Sequence, residues 1–139
     1  MNEPASWLSR TCVVVGVGEG LGAALGRRFA AGYKVALLAR SAQVVENVAA
    51  QINAAGGTAL PVRSDATVES QIAAAYERID HELGPVEVLV YNGGRRPMGR
   101  LMETTPQVFR GDLAAARFRC VSVGAAGRAG CSRGGAERF

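Results

Sequence analysis

A glycine-rich stretch near the N-terminus has the residue types and the spacing to bind an anion. Residues 11–22 read T-C-V-V-V-G-V-G-E-G-L-G, so three valines lead directly into four glycines within seven positions. Where a strand turns into a helix, main-chain N–H groups converge and the helix N-terminus adds partial positive charge, which suits a pyrophosphate. Glycines let such a ligand approach the backbone and allow unusual φ angles. We therefore predict a diphosphate site formed by Gly16, Gly18, Gly20 and Gly22.

The spacing of these glycines is G-x-x-x-G-x-G counted from Gly16, with Gly18 additional. The other common dinucleotide pattern, G-x-G-x-x-G, would need a glycine where Leu21 stands. A loop of this kind can also be a tight strand–helix turn with no ligand. Its context favours a site, because the loop follows a predicted strand and opens a helix at the start of a βαβ unit.

The end of the second predicted strand bears on which dinucleotide binds. An NAD site usually places an acidic residue there to accept hydrogen bonds from the ribose. Here the strand ends in Arg40 and Ser41, and the nearest following acidic residue is Glu46. The planar fork of an arginine pairs well with a 2′-phosphate. We therefore predict NADP in preference to NAD, with Arg40 at the phosphate. An ordinary solvated charge is the alternative for Arg40, and Glu19 in the loop opposes anion binding.

The elements that would position these residues alternate between strands and helices up to about residue 94. Short apolar runs predict four buried strands at residues 11–15, 34–39, 58–62 and 86–91. Apolar residues spaced by three and four predict the helices between them, at 22–31, 42–55 and from Ser64 or Thr67 to Leu83. Connections of this length require parallel strands with right-handed crossovers. The predicted fold class is α/β, a Rossmann-like doubly wound parallel sheet that is truncated after about the fourth strand.

The C-terminal third differs from the rest in composition. Residues 1–94 carry nine acidic and seven basic side chains, net −2, whereas residues 95–139 carry nine arginines and three acidic residues, net +6. Thr105 followed by Pro106 predicts a helix start. From Gly111 onward Arg, Gly, Ala and Ser dominate without an apolar period, which predicts disorder. We predict a partial NAD(P)-binding domain over residues 1–110 and a low-complexity tail over residues 111–139.

Three motifs in this order resemble the short-chain dehydrogenase/reductase family over about residues 10–110. They are the glycine loop, the Asp65-Ala66 pair after the third strand, and Tyr91-Asn92-Gly93-Gly94 after the fourth. The resemblance implies that the pyrophosphate lies against Gly16, Gly18, Gly20, Leu21 and Gly22. It also implies that Asp65 contacts the adenine beside the backbone of Ala66. Asn92 and Gly93 match the family's N-N-A-G motif, whose backbone lies against the cofactor ribose; a strand-end turn residue is the alternative for Asn92. Tyr91 and Gly93 depart from that motif, and Val15 replaces the usual threonine before the loop.

The resemblance implies hydride transfer between a nicotinamide and a carbonyl or alcohol carbon, with a tyrosine as general acid/base. A lysine four residues later lowers the pKa of that tyrosine, because a free phenol near pKa 10 is a poor base at neutral pH. No Y-x-x-x-K motif is present, and the only lysine is Lys34. We therefore assign no catalytic residue and no metal site. We expect the chain to be the cofactor-binding half of such an enzyme, truncated and inactive alone. Our hypothesis for the tail is a shifted reading frame.

Expectations about location and partners follow from the same patterns. No apolar run reaches the roughly 18 residues of a membrane span, and no signal peptide is recognisable, so we expect a soluble, cytoplasmic protein without membrane contact. An unpaired fourth strand predicts self-association. A non-catalytic nucleotide-binding module is the main alternative function. Nucleic-acid binding by the arginine-rich tail is disfavoured, because Phe118 and Phe139 are its only aromatic residues. The sequence does not identify the carbonyl or alcohol substrate.

Overall fold

A computed structural model describes residues 10–94 and 105–107 of the chain. Strands and helices alternate along the first of these ranges. In chain order they are β1 (Thr11–Val15), α1 (Leu21–Ala30), β2 (Lys34–Ala39), α2 (Ala42–Ala54), β3 (Ala59–Arg63), α3 (Glu69–Leu83) and β4 (Val86–Tyr91). Pro106 and Gln107 are helical, as the Thr105-Pro106 pair predicts. The predicted tail, residues 111–139, lies outside the described residues.

The four strands form one parallel sheet in the order β3-β2-β1-β4. The chain steps outward from β1 to β2 to β3 and then crosses back to place β4 on the other side of β1. This is the doubly wound arrangement that the sequence predicts. β3 and β4 are the outer strands of the sheet formed by the described residues.

Both faces of the sheet are covered by helices. α1 and α2 pack on one face and α3 on the other. Every residue of β1 is at most 3% exposed, because alternate side chains enter opposite cores. Cys12 and Val14 face α1 and α2, whereas Val13 and Val15 face α3. A strand buried on both faces reads as a continuous apolar run, which explains the three consecutive valines.

The start of α3 is the main difference from the predicted elements. The sequence predicts a helix opened by Ser64 or Thr67, but the helix begins at Glu69 with Val68 as the N-cap. The carboxylate oxygen Oδ1 of Asp65 accepts hydrogen bonds from the main-chain N–H of Thr67 at 2.9 Å and from its hydroxyl at 2.7 Å. An aspartate turn therefore occupies residues 65–67 and delays the helix.

Candidate dinucleotide-binding site

The residues predicted to bind a dinucleotide come together at the carboxyl edge of the sheet. The glycine loop follows β1, Arg40 follows β2, Asp65 and Ala66 follow β3, and Asn92 follows β4. β1 lies between β2 and β4, which are reached by crossovers in opposite directions. Ligands of doubly wound sheets bind in the crevice at such a switch point. The topology thus assembles the predicted site from four separate segments.

Gly16 is required by the packing of the loop itself. Its φ angle is +85°, a conformation that residues with a side chain rarely adopt. A Cβ at this position would lie 2.7 Å from the main-chain carbonyl of Asn92 and 2.7 Å from the nitrogen of Gly93. The loop therefore leaves β1 in close contact with the end of β4, and this contact excludes any side chain.

Gly22 is likewise required by close packing. It is buried in the first turn of α1, and a Cβ there would lie 2.6 Å from the carbonyl oxygen of Gly16 and 2.7 Å from the Cα of Val17. Gly22 thus lets the helix begin directly above the start of the loop. Gly16 and Gly22 shape the loop, and their replacement is expected to disturb the fold before any ligand is considered.

Gly18 and Gly20 have no such packing requirement. A Cβ at either position would meet nothing within 4 Å, and both residues are exposed. Within the described residues, the main-chain N–H groups of residues 18–22 donate to no protein acceptor. The carbonyls of Gly18 and Gly20 accept from Ala23 and Ala24 at 3.1 Å, so they are turned toward the helix. We call these five main-chain N–H groups, on residues 18–22, the amide cradle.

The amide cradle fits the diphosphate that the sequence predicts for it. Helix α1 begins within the cradle, at Leu21. Its N-cap, Gly20, has no side chain that could occupy the free N–H groups, and its first turn contains no acidic residue. Free N–H groups at a helix N-terminus are an anion site. Leu21, next to Gly20, is 65% exposed, the largest exposure among the large apolar side chains of the described residues. Glu19 is exposed in the same loop and is the one charge that opposes an anion there.

The end of β2 presents positive charge and no acidic group. Arg40 and Ser41 are both exposed. Ser41 is the N-cap of α2, as predicted, but its hydroxyl makes no capping hydrogen bond, and the first turn of α2 contains no acidic residue. Arg40 forms no salt bridge within the described part of the chain. The guanidinium, the uncapped helix end and the serine hydroxyl are therefore available to an anion.

Asp65 has a structural role that the sequence did not reveal. Its Oδ1 closes the turn onto Thr67, and its main-chain N–H donates to Oε1 of Gln71 at 2.9 Å. The neighbouring Ala66 is partly buried against the core on the α3 face. The turn fixes the backbone of residues 65–66 at the carboxyl edge, where the family resemblance implies the adenine.

Asn92 ties the end of β4 to the glycine loop. Its main-chain N–H donates to the carbonyl of Val15 at 2.8 Å, and its side-chain Nδ2 donates to the carbonyl of Gly16 at 3.2 Å. Gly93 follows with the ring of Tyr91 beside it, since a Cβ would lie 2.9 Å from the phenol oxygen. Asn92 therefore supports the loop from behind, whereas the amide cradle faces solvent.

Three groups that could do acid–base chemistry, Tyr76, Cys12 and Lys34, are placed away from this site. Burial raises the pKa of Tyr76 to about 12, and its side chain lies in the core under α3. Burial also raises the pKa of Cys12 to about 12, which keeps the thiol protonated and unreactive. Lys34 begins β2, at the amino edge of the sheet, where its Nζ donates to the carbonyl of Leu83 at 3.4 Å. In residues 10–94 and 105–107 no three His, Cys, Asp or Glu side chains are grouped as metal ligands.

Sheet order, switch point and amide cradle define the chain as a Rossmann-like fold of the NAD(P)-binding class. A protein-family model described as short chain dehydrogenase matches residues 10–116. The chain belongs to the short-chain dehydrogenase/reductase family, as the three sequence motifs suggest.

Several known oxidoreductases are similar to the chain. The cis-4-hydroxycyclohexanecarboxylate dehydrogenase of Sinomonas cyclohexanicum is 36% identical over 89 residues, which are 64% of this chain and 36% of that enzyme. A variant of actinorhodin polyketide ketoreductase, solved with NADPH, superposes with a TM-score of 0.69 at 26% identity and covers 85% of this chain and 47% of its own. A metagenomic short-chain oxidoreductase in complex with NADP superposes with a TM-score of 0.66 at 29% identity, over 83% and 54% of the two chains.

The chain spans about a third of that curated relative and about half of each of these solved structures. No helix in the part of the chain that the structure describes combines the length and the apolar character needed to cross a membrane.

Proposed function

We propose that the chain binds a nicotinamide dinucleotide at the carboxyl edge of its sheet, and that it does so as the cofactor-binding part of an oxidoreductase. The reaction of that enzyme is hydride transfer between the nicotinamide and a carbonyl or alcohol carbon. The observation that carries the proposal is the amide cradle, where two glycines leave open space and five main-chain N–H groups have no acceptor in the described residues. Glycine without a packing requirement is best explained by a ligand that must approach the backbone.

The proposed cofactor is NADP rather than NAD. Arg40, directly after β2, is exposed and forms no salt bridge with an acidic residue in residues 10–94. The hydroxyl of Ser41 beside it makes no capping hydrogen bond to α2. These groups suit a 2′-phosphate, whereas the ribose hydroxyls of NAD favour an acidic residue at this position. Two of the solved relatives hold NADPH or NADP, which supports the same cofactor here.

Titration calorimetry with NADP and NAD tests both parts of this proposal. We expect the chain to bind NADP more tightly, and Arg40→Asp to reverse the preference because a carboxylate accepts hydrogen bonds from the free ribose hydroxyls. Arg28→Asp changes the charge equally on the exposed side of α1 and serves as the matched control. Failure of both dinucleotides to bind the native chain would refute the proposal.

We propose that this chain alone binds the cofactor without turning it over. Its single lysine, Lys34, lies at the amino edge of the sheet and the site lies at the carboxyl edge, so no lysine stabilises a phenolate beside the nicotinamide. A non-catalytic nucleotide-binding module makes the same binding prediction. Oxidation of NADPH with a panel of carbonyl compounds, followed by absorbance, tests the absence of turnover: oxidation by the chain would reject both the inactive cofactor-binding part and the module.

We also infer that the chain is cytoplasmic and self-associates through β4. In the described sheet β4 pairs only with β1, so its other edge presents main-chain donors and acceptors. Such an edge favours pairing with a second strand. Sedimentation velocity tests this point: a monodisperse monomer across the accessible concentration range would contradict it.

A further inference from the structure

Two arginines lie side by side at the carboxyl ends of β2 and β3. Arg63 ends β3 in register with Ala39, the last residue of β2. Its Nε donates a hydrogen bond to the main-chain carbonyl of Arg40 at 3.3 Å. The next residue, Ser64, donates its main-chain N–H to the carbonyl of Ala39 at 2.9 Å, so the two segments stay paired beyond the strands. Arg63 is thereby held against the turn that presents Arg40.

Neither guanidinium is neutralised by a carboxylate of the described residues. Both side chains are exposed, and the two salt bridges found there join Arg10 to Glu87 and Arg78 to Glu82. Both arginines add positive potential at this edge of the sheet, and the N-terminus of α2, which follows Ser41, adds to it. An anion bound at this edge is stabilised by that potential.

We propose that Arg63 is a specificity-determining residue for the adenosine 2′-phosphate, a second cation that acts together with Arg40. The hydrogen bond from its Nε to the carbonyl of Arg40 anchors the turn that carries Arg40. The remaining N–H groups of its guanidinium donate hydrogen bonds to the same phosphate, and its positive charge attracts that phosphate. This inference rests on the proposed NADP binding at the carboxyl edge. The family motifs in the sequence do not include Arg63, and the third strand predicted from the sequence ends one residue before it, at residue 62.

The test compares two pairs of ligands, and the members of each pair differ only in the 2′-phosphate: NADP against NAD, and 2′,5′-ADP against 5′-AMP. Each ligand is titrated into the native chain and its variants by calorimetry. We expect Arg63→Gln to weaken NADP and 2′,5′-ADP by about tenfold, the loss of one charge-assisted contact. NAD and 5′-AMP are expected to change less than twofold. Arg63→Lys keeps the charge without the planar fork and is expected to retain an intermediate affinity. Arg28→Gln removes an exposed arginine of α1 and is expected to change none of the four.

Each outcome separates this inference from the proposed function. Equal weakening of NADP and NAD by Arg63→Gln would show that Arg63 only holds the turn, and it would overturn the inference while leaving the dinucleotide site intact. Native chain that binds NAD as tightly as NADP would overturn the 2′-phosphate assignment alone. Native chain that binds neither would overturn the proposed function as well. Melting temperatures of the variants identify any that fail to fold. If Arg63→Gln fails to fold, the affinities of Arg63→Lys for NADP and NAD decide whether Arg63 contacts the 2′-phosphate.

Discussion

The two kinds of glycine in the loop predict opposite effects of the same substitution. In Gly16→Ala, the added Cβ would lie 2.7 Å from main-chain atoms of Asn92 and Gly93, and the residue would keep a φ of +85°. The positive φ alone costs about 1–2 kcal/mol. With the main-chain contact added, we expect about 3 kcal/mol of lost stability, since packed backbone atoms cannot move aside cheaply.

In Gly18→Ala, the added Cβ meets nothing within 4 Å, and the φ of Gly18 lies outside the positive range that residues with a side chain rarely adopt. Alanine lowers the entropy of the unfolded chain, so stability should stay the same or rise by less than about 1 kcal/mol. The methyl group would occupy the amide cradle, however. We expect the affinity for NADP to fall by about tenfold or more, as one misplaced methyl costs about 1–3 kcal/mol.

Thermal denaturation and calorimetric titration on the same preparations measure both effects. At roughly 4 °C per kcal/mol for a chain of this size, Gly16→Ala should lower the melting temperature by about 12 °C. Gly18→Ala should melt within a few degrees of the native chain. A Gly18→Ala variant that melts normally and binds NADP with native affinity would refute the argument that open space over this glycine marks a ligand site.

Three further predictions concern charge, a buried hydrogen bond and pH. Glu19→Gln should raise the affinity for NADP about fivefold at low salt, since removing one charge about 4 Å from a phosphate in water is worth about 1 kcal/mol. The gain should shrink as salt is added. Glu46→Gln on the exposed side of α2 is the control. Thr11→Val should lower the free energy of unfolding, measured by urea denaturation, by about 1 kcal/mol, because the buried Thr11 hydroxyl donates a hydrogen bond to the carbonyl of Leu83 at 3.1 Å. Thr58→Val, at an exposed position, is the control and should leave the free energy of unfolding unchanged. Burial raises the pKa of Tyr76 from 10.0 to about 12, so the folded state favours the protonated phenol; its contribution is complete below pH 10 and is lost as pH rises toward 12. Tyr76→Phe should therefore flatten the stability curve over that interval, and an unchanged slope would count against burial as the cause.

Much of the fold could be predicted from local sequence because each element carries its own signal. Continuous apolar runs mark strands buried on both faces, and glycine pairs or Gly-Pro mark where helices stop. The start of α3 could not be predicted in this way. Ser64 and Thr67 are both common cap residues, but the carboxylate of Asp65 binds the main-chain N–H and the hydroxyl of Thr67. Which side chain satisfies a given N–H depends on competition among neighbours, and residue type alone does not decide it.

The roles within the glycine loop were only partly predictable for a different reason. The four glycines look equivalent in sequence, so the pattern predicts a ligand contact for all of them. Gly16 is required by a segment 76 residues away, because the end of β4 occupies the space that its Cβ would need. That demand exists only once the sheet has formed. The role of Arg63 is hidden in the sequence for the same reason, since its link to Arg40 crosses between neighbouring strands.

Binding and chemistry have separate structural requirements in this chain. The amide cradle uses main-chain groups set by one loop and by the contact with β4, all of which lie in the described residues. Hydride transfer in the family also needs a phenol whose pKa is lowered by a cation. Lys34 is separated from the cradle by the length of β2, which at about 3.3 Å per residue is roughly 20 Å. A charge at that distance is screened beyond the Debye length of about 10 Å and cannot tune a phenol at the site. The cofactor preference measured in this chain should therefore report ground-state recognition alone, and any turnover would have to come from a base that no lysine assists.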